Sequence, residues 1–221
     1  MNRSTTLPAL ALALALTGCG AGSSEQDTGA GPGTAPATSA PGATTTGAAA
    51  DGAVSAEHND ADVLFAQMML PHHEQAVRMS EMLLAEEGVR AEVADFAQRV
   101  IDAQGPEIEH LNAMLAAWGA EPSAGDVHGT EHGSDAGMGG MGGMMTAEDM
   151  QALETAQGQD AARLYLEQMT VHHEGAVEMA RDQAERGQNP QAVELARHVA
   201  ADQEAEIAEM ERMLRELPDG T

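Results

Sequence analysis

From residue 59 onward, buried-type residues recur in alternating steps of four and three, a 3.5-residue period that marks one inward stripe on each of four helices. The first stripe reads Phe65, Met69, His72, Ala76, Met79, Leu83, and the second Ala97, Ile101, Gln104, Ile108, Leu111, Leu115, Trp118. The third reads Tyr165, Met169, His172, Ala176, Met179, Gln183, and the fourth Ala196, Ala200, Gln203, Ile207, Met210, Leu214, Leu217. Terminal signals bound these helices. Asn59 or Asp60 can cap the first, which should run to about Glu87 before Gly88, and the second should span about Ala91 to Trp118 before Gly119. Thr146-Ala-Glu-Asp149 reads as a capping box for a segment that Gly158 can interrupt, after which the helix continues to about Arg186. Asn189-Pro190 starts the last helix, which ends near Leu217-Pro218. The pattern predicts an all-α fold, an antiparallel four-helix bundle made of two helical hairpins, residues 58–118 and 147–218. Pro71 and Gly105-Pro106 fall inside predicted helices and should bend or break them.

The two hairpins are copies. Met69-Leu-Pro-His-His-Glu-Gln-Ala-Val-Arg-Met79 returns one hundred residues later as Met169-Thr-Val-His-His-Glu-Gly-Ala-Val-Glu-Met179. With equal rise in both helices, a turn near residues 88–89 sets positions summing to about 177 side by side, which puts His72 opposite Gln104. The same argument in the second hairpin puts His172 opposite Gln203. The expected core therefore carries one layer of two histidines and two glutamines, with Met69, Met79, Met169 and Met179 above and below it.

Such a layer has two readings. The plainer one is a hydrogen-bonded layer that fixes helix register at some cost in stability, in a protein that is a structural or interaction module. Methionine at helical spacing is also ordinary core filling. The doubled histidines at 72–73 and 172–173, each set flanked by methionines, favour a metal site instead. Thioether plus imidazole without cysteine suits copper, above all Cu(I), and also silver, whereas zinc makes little use of methionine. Adjacent helical residues diverge by about 100°. His73 and His173 should therefore sit at the flank, reaching a metal from the side or staying solvated, and Glu74 and Glu174 should face outward.

A second candidate lies in the connector, residues 119–146. It holds His128 and His132, then Met138, Met141, Met144 and Met145 separated by glycines. Such a strand can wrap a soft ion without a preformed site, or can be low-complexity linker.

The repeated M-x-x-H-H-x-x-A-V-x-M, with Gln104-Gly-Pro-Glu-Ile108 and Gln203-Glu-Ala-Glu-Ile207 downstream, resembles the DUF305 family over roughly residues 59–217. The resemblance implies a ferritin-like helical bundle, exported, with a role linked to copper handling. By it the metal candidates are Met69, His72, His73, Met79, Met169, His172, His173 and Met179. The copies differ where Met68 becomes Gln168 and Pro71 becomes Val171.

The N-terminus adds a location. Arg3, the apolar run Leu7–Leu16 and the box Leu16-Thr17-Gly18-Cys19 resemble a bacterial lipoprotein signal, residues 1–18, with Cys19 as the lipidated residue. Residues 19–57 are poor in anything to bury and read as a disordered tether, spanning on the order of 35 Å. The expected protein is thus extracytoplasmic and held to the membrane through lipid on Cys19.

Composition then narrows the function. A formal charge of −26 with only ten Lys and Arg argues against nucleic acid and against docking on anionic lipid. One cysteine excludes an intramolecular disulfide and a CxxC pair. A di-iron carboxylate enzyme would need Glu-x-x-His on two helices; Glu107-Ile-Glu-His110 fits, but its counterpart Glu206-Ala-Glu-Glu209 lacks the histidine. The expected role is non-enzymatic, binding of Cu(I) for buffering or for transfer to or from a partner protein.

Overall fold

The computed structural model describes residues 53–122 and 142–218, which fold into five helices and, among the described residues, no strand. They are α1 (Asp60–Leu84), α2 (Ala91–Trp118), α3 (Ala147–Thr155), α4 (Gly158–Arg186) and α5 (Pro190–Glu216). No described helix is long and apolar enough to cross a membrane. The signal segment, Cys19 and connector residues His128, His132, Met138 and Met141 lie outside the described residues.

The punctuation in the sequence operates as chemistry. Asn59 accepts from the Asp62 backbone N–H while Asp62 accepts from that of Asn59, and Thr146 and Asp149 repeat the arrangement at α3. Asn189 accepts from the Gln191 and Ala192 N–H groups at the start of α5. Gly119 ends α2 in the left-handed conformation at φ 65°, which glycine enters without steric cost. Helix α1 ends at Leu84, three residues before the expected stop, because the chain turns through Ala85–Gly88 first. Neither proline breaks its helix: α1 runs through Pro71 and α2 through Pro106.

Consecutive long helices fold back on each other through short loops, α1 on α2 and α4 on α5, and the two hairpins meet chiefly along α1 and α4. The core divides into two apolar clusters. One joins the start of α1 (Phe65, Met69), the end of α2 (Leu111, Met114), and α4 and α5 around Ala176 and Leu195. The other joins the end of α1 (Met79, Leu83), the start of α2 (Phe96, Val100), the start of α4 (Tyr165, Met169) and the end of α5 (Met210, Met213). Equivalent residues of the two repeats, Met69 and Met169, thus lie in different clusters, as a pseudo-twofold axis between the hairpins requires. The buried stripes are broader than a strict two-position seam. Phe96, Val100 and Met114 join α2, and Leu195, Val199 and Met213 join α5, as in a globular bundle rather than a coiled coil.

One acidic residue ties the halves together. Asp62 is fully buried and accepts from the backbone N–H groups of Asn59, Gln188 and Asn189 and from Gln183 Nε2 at 2.6 Å. Burial by itself would raise its carboxyl, but these donors outweigh burial and hold it below the usual carboxylate range. The last tether residues are also placed. Ser55 O accepts from Trp118 Nε1 and Asn189 Nδ2, and His58 stacks on Trp118 with ring centroids 5.0 Å apart. A group whose carboxyl is depressed in the fold stabilises above its unfolded pKa, about 4, and that stability is lost as pH falls through the folded value. Asp62→Ala, which strands several buried donors, should therefore cost roughly 2–4 kcal/mol in urea unfolding at pH 7. The exposed Asp60→Ala should stay within about 0.5 kcal/mol.

Candidate metal centre

Between the two apolar clusters lies a polar layer built from the repeat. His72 on α1 and His172 on α4 meet at the pseudo-axis, their ring centroids 3.7 Å apart and their planes tilted by 41°. Gln104 on α2 and Gln203 on α5 are buried, each three residues before a glutamate that meets the layer. His73 and His173 are not solvated flank residues. Both are wholly buried, because each donates Nε2–H to a carboxylate across its hairpin, His73 to Glu107 and His173 to Glu206, both at 2.8 Å. Glu74 and Glu174 do face outward.

These bonds decide which nitrogen faces the core. A carboxylate only accepts, so the shared proton belongs to Nε2, and in the neutral ring Nδ1 keeps its lone pair. His72 Nε2–H donates, over a long 3.4 Å, to the carbonyl of Gly142. Its Nδ1 is free in the same way. None of His72 Nδ1, His73 Nδ1, His173 Nδ1, either nitrogen of His172, Gln104 Oε1 and Gln203 Oε1 makes a hydrogen bond, although all are buried. Each such atom costs about 1–3 kcal/mol of uncompensated desolvation. A layer kept for mutual hydrogen bonding would pair these atoms, whereas a cation would find imidazole lone pairs already aimed inward. Among the described residues, no group of three or more His, Cys, Asp or Glu is arranged to hold a metal ion.

Met69, Met79 and Met169 are fully buried in the clusters on either side of the layer. Met179 is only half-buried and lies at the edge of its cluster. In the connector, Met144 is half-buried, while Met145 is core, packed in the second cluster described above. Residues 142–145 form a strap over the histidine layer. Gln75 donates to Met145 O and accepts from Met145 N–H, as a strand neighbour would, at 2.9 and 2.7 Å. At the equivalent place in α4 stands Gly175, where a Cβ would collide with the Gly142 carbonyl. Gly143, at φ 85°, lies so close to α4 that a Cβ would come within 2.6 Å of Val171 O. The Gln75/Gly175 difference between the copies thus clamps the strap at one end and admits it at the other.

Comparison with known proteins follows this geometry. The sequence profile described as "Domain of unknown function (DUF305)" matches residues 62–214. The chain belongs to the DUF305 family. A DUF305 fragment from Deinococcus radiodurans is 30% identical with a TM-score of 0.61, covering 72% of this chain and 98% of that one. A DUF305 protein from Streptomyces coelicolor, whose name suggests secretion, is 32% identical with a TM-score of 0.62, covering 73% and 96%. CopM in its Cu(I)-bound form is 28% identical with a TM-score of 0.54, covering 70% and 96%, and CopM has also been solved with Cu(II) and with silver. No curated protein matches the chain.

Burial pushes the His72 imidazolium down to about 3, with the neighbouring His73 adding to the effect, and burial likewise depresses His172. For a base depressed in the fold, the unfolded chain takes up protons first as pH falls below about 6.5. The stability of the metal-free protein is therefore complete above that pH and declines below it, by up to about 1.4 kcal/mol per pH unit for each such histidine. Urea midpoints measured between pH 7.5 and 5 should fall accordingly, and His72→Leu/His172→Leu should flatten the decline.

Proposed function

We propose that this DUF305 protein is an extracytoplasmic copper-binding protein, anchored through lipid on Cys19, that buffers Cu(I) or hands it to and from a partner protein. Its scaffold is a ferritin-like antiparallel four-helix bundle, the four long helices, with α3 as an addition. The observation that carries the reading is the set of unpaired imidazole nitrogens buried between His72 and His172. Binding would relieve their desolvation cost, and soft thioethers of Met69, Met79 and Met169 stand in the flanking clusters to complete a Cu(I)-preferring set. The likeness to CopM, solved with copper and with silver, supports the same choice of ion. Glu107 and Glu206 act as orienting residues that fix the His73 and His173 tautomers. The role is ligand exchange and involves no bond-making chemistry. Connector residues His128, His132, Met138, Met141 and Met144 offer a second, weaker store for the same ion.

The test is anaerobic Cu(I) titration against a competing chromophoric chelator, in a Cys19→Ser background so that no free thiol competes. His72→Leu/His172→Leu should weaken binding at least 100-fold while raising the stability of the metal-free protein, since it removes unpaired buried nitrogens. Glu107→Gln/Glu206→Gln should weaken it by about 10–100-fold. Tight binding that survives His72→Leu/His172→Leu would move the site to the connector. Absence of binding in the parent protein would make the layer structural.

A further inference from the structure

The core thioethers cannot exchange an ion with a partner directly, because Met69, Met79 and Met169 are sealed from solvent. Among the described residues, clefts lie on both sides of the strap that covers the layer. A cleft of about 350 Å³ is lined by Phe65, Met68, Gly142, Gly175, Met179 and Asp182 among others. Its Gly142 is the residue whose carbonyl receives His72 Nε2–H. Met68 precedes His72 by four residues on α1, and Met179 follows Gly175 by four on α4, so each thioether sits one helical turn along the wall from the floor. Both are half-buried, unlike the methionines of the core.

The pseudo-symmetric position on the other side is built differently, with a second cleft lined by Gln75, Met82, Met144 and Met145. There Gln168 replaces Met68 and donates to Asp149 O of α3 at 3.0 Å. Gln75 replaces Gly175 and is locked to Met145, and Met79, the counterpart of Met179, is fully buried. Met68, which has no thioether counterpart in the other copy, thus lines the cleft that also holds Gly142, the residue bonded to His72.

We propose that a soft monovalent cation enters and leaves the histidine layer through this cleft, with Met68 and Met179 as its first binding station. The proposal rests on the copper reading above and adds the route and the residues. Thioethers at the mouth take the ion from a donor by stepwise ligand exchange and pass it one turn inward to imidazole. Because a station on the path lowers the barrier in both directions, its loss slows loading and release together and changes the final occupancy far less.

The experiment is stopped-flow transfer of Cu(I) from the loaded full-length protein to excess chromophoric chelator, with loading measured separately. In Met68→Leu, both rates should fall at least fivefold while affinity shifts by less than threefold. Leu64→Trp, which narrows the mouth without touching sulfur, should also slow both rates and leave affinity unchanged; Leu64 lines the cleft and is exposed. Wild-type rates in these variants, with copper still bound tightly, would overturn the route and leave the copper site intact. Faster release with correspondingly weaker binding in Met68→Leu would make Met68 a ligand of the resting site and also overturn it. Failure of the parent protein to bind Cu(I) would overturn both readings.

Discussion

The structure depends on two imidazoles held in contact, tilted against each other, inside a helical core that leaves most of their nitrogens without hydrogen-bond partners. Aliphatic side chains in that place would be the simpler solution, with about 1–3 kcal/mol recovered for each unpaired atom. Around the pair, the core is divided into two apolar clusters that together hold the helices in register. Outside it, Glu107 and Glu206 take the protons of His73 and His173, so the remaining nitrogens turn inward. The fold tolerates the layer because its cost falls in a narrow slab, while Phe96, Tyr165, Leu111, Met114 and their neighbours pack at full density on both sides.

The duplication is symmetric where the chemistry is and asymmetric where access is. His72, His73, Gln104 and Glu107 correspond one for one with His172, His173, Gln203 and Glu206, and their contacts match closely, including the two 2.8 Å carboxylate bonds. The cover differs. One copy carries Gln75, whose amide binds both backbone groups of Met145, and the other carries Gly175, whose missing side chain gives the strap room. One difference between the repeats thus accommodates a roof over one side of the layer. A second, Gln168 for Met68, pins α3 over the other flank.

Much of this was legible in the sequence because local signals and global pattern agree. Asn59, Thr146-Asp149 and Asn189-Pro190 mark helix starts by their own hydrogen bonds, and Gly119 marks an end by its backbone freedom. The period of 3.5 and short loops were enough to place His72 and Gln104 in the core. What escaped the register argument were contacts made off the seam. Glu107 and Glu206 stand three residues beyond the layer glutamines, on a flank that a one-stripe reading leaves to solvent. The repetition of Gln-x-x-Glu at Gln104–Glu107 and Gln203–Glu206 was the available signal. The strap escaped because nothing in a glycine- and methionine-rich run says where it docks; only Gln75 against Gly175, at equivalent positions, distinguishes the copies there. Asp62 read as a capping residue, and its reach to Gln183, Gln188 and Asn189 is a tertiary fact.

The placement of charge explains how a strongly acidic protein can keep a neutral donor set. Every side chain at the centre of the layer, imidazole, amide or thioether, is uncharged, and its two nearest carboxylates stand at the partly solvated edge, about one-fifth exposed. There Glu107 and Glu206 keep part of their hydration and each accepts from a histidine, so neither charge is left bare in the core. A monovalent ion arriving between the rings would not be left uncompensated in that medium. Each imidazole that ligates through Nδ1 passes part of the positive charge through the ring to an Nε2–H already bonded to a carboxylate. One such relay exists per repeat. The hairpin duplication therefore gives each repeat one carboxylate-bonded imidazole, His73 and His173, beside the tilted His72–His172 pair, without placing either carboxylate inside the core.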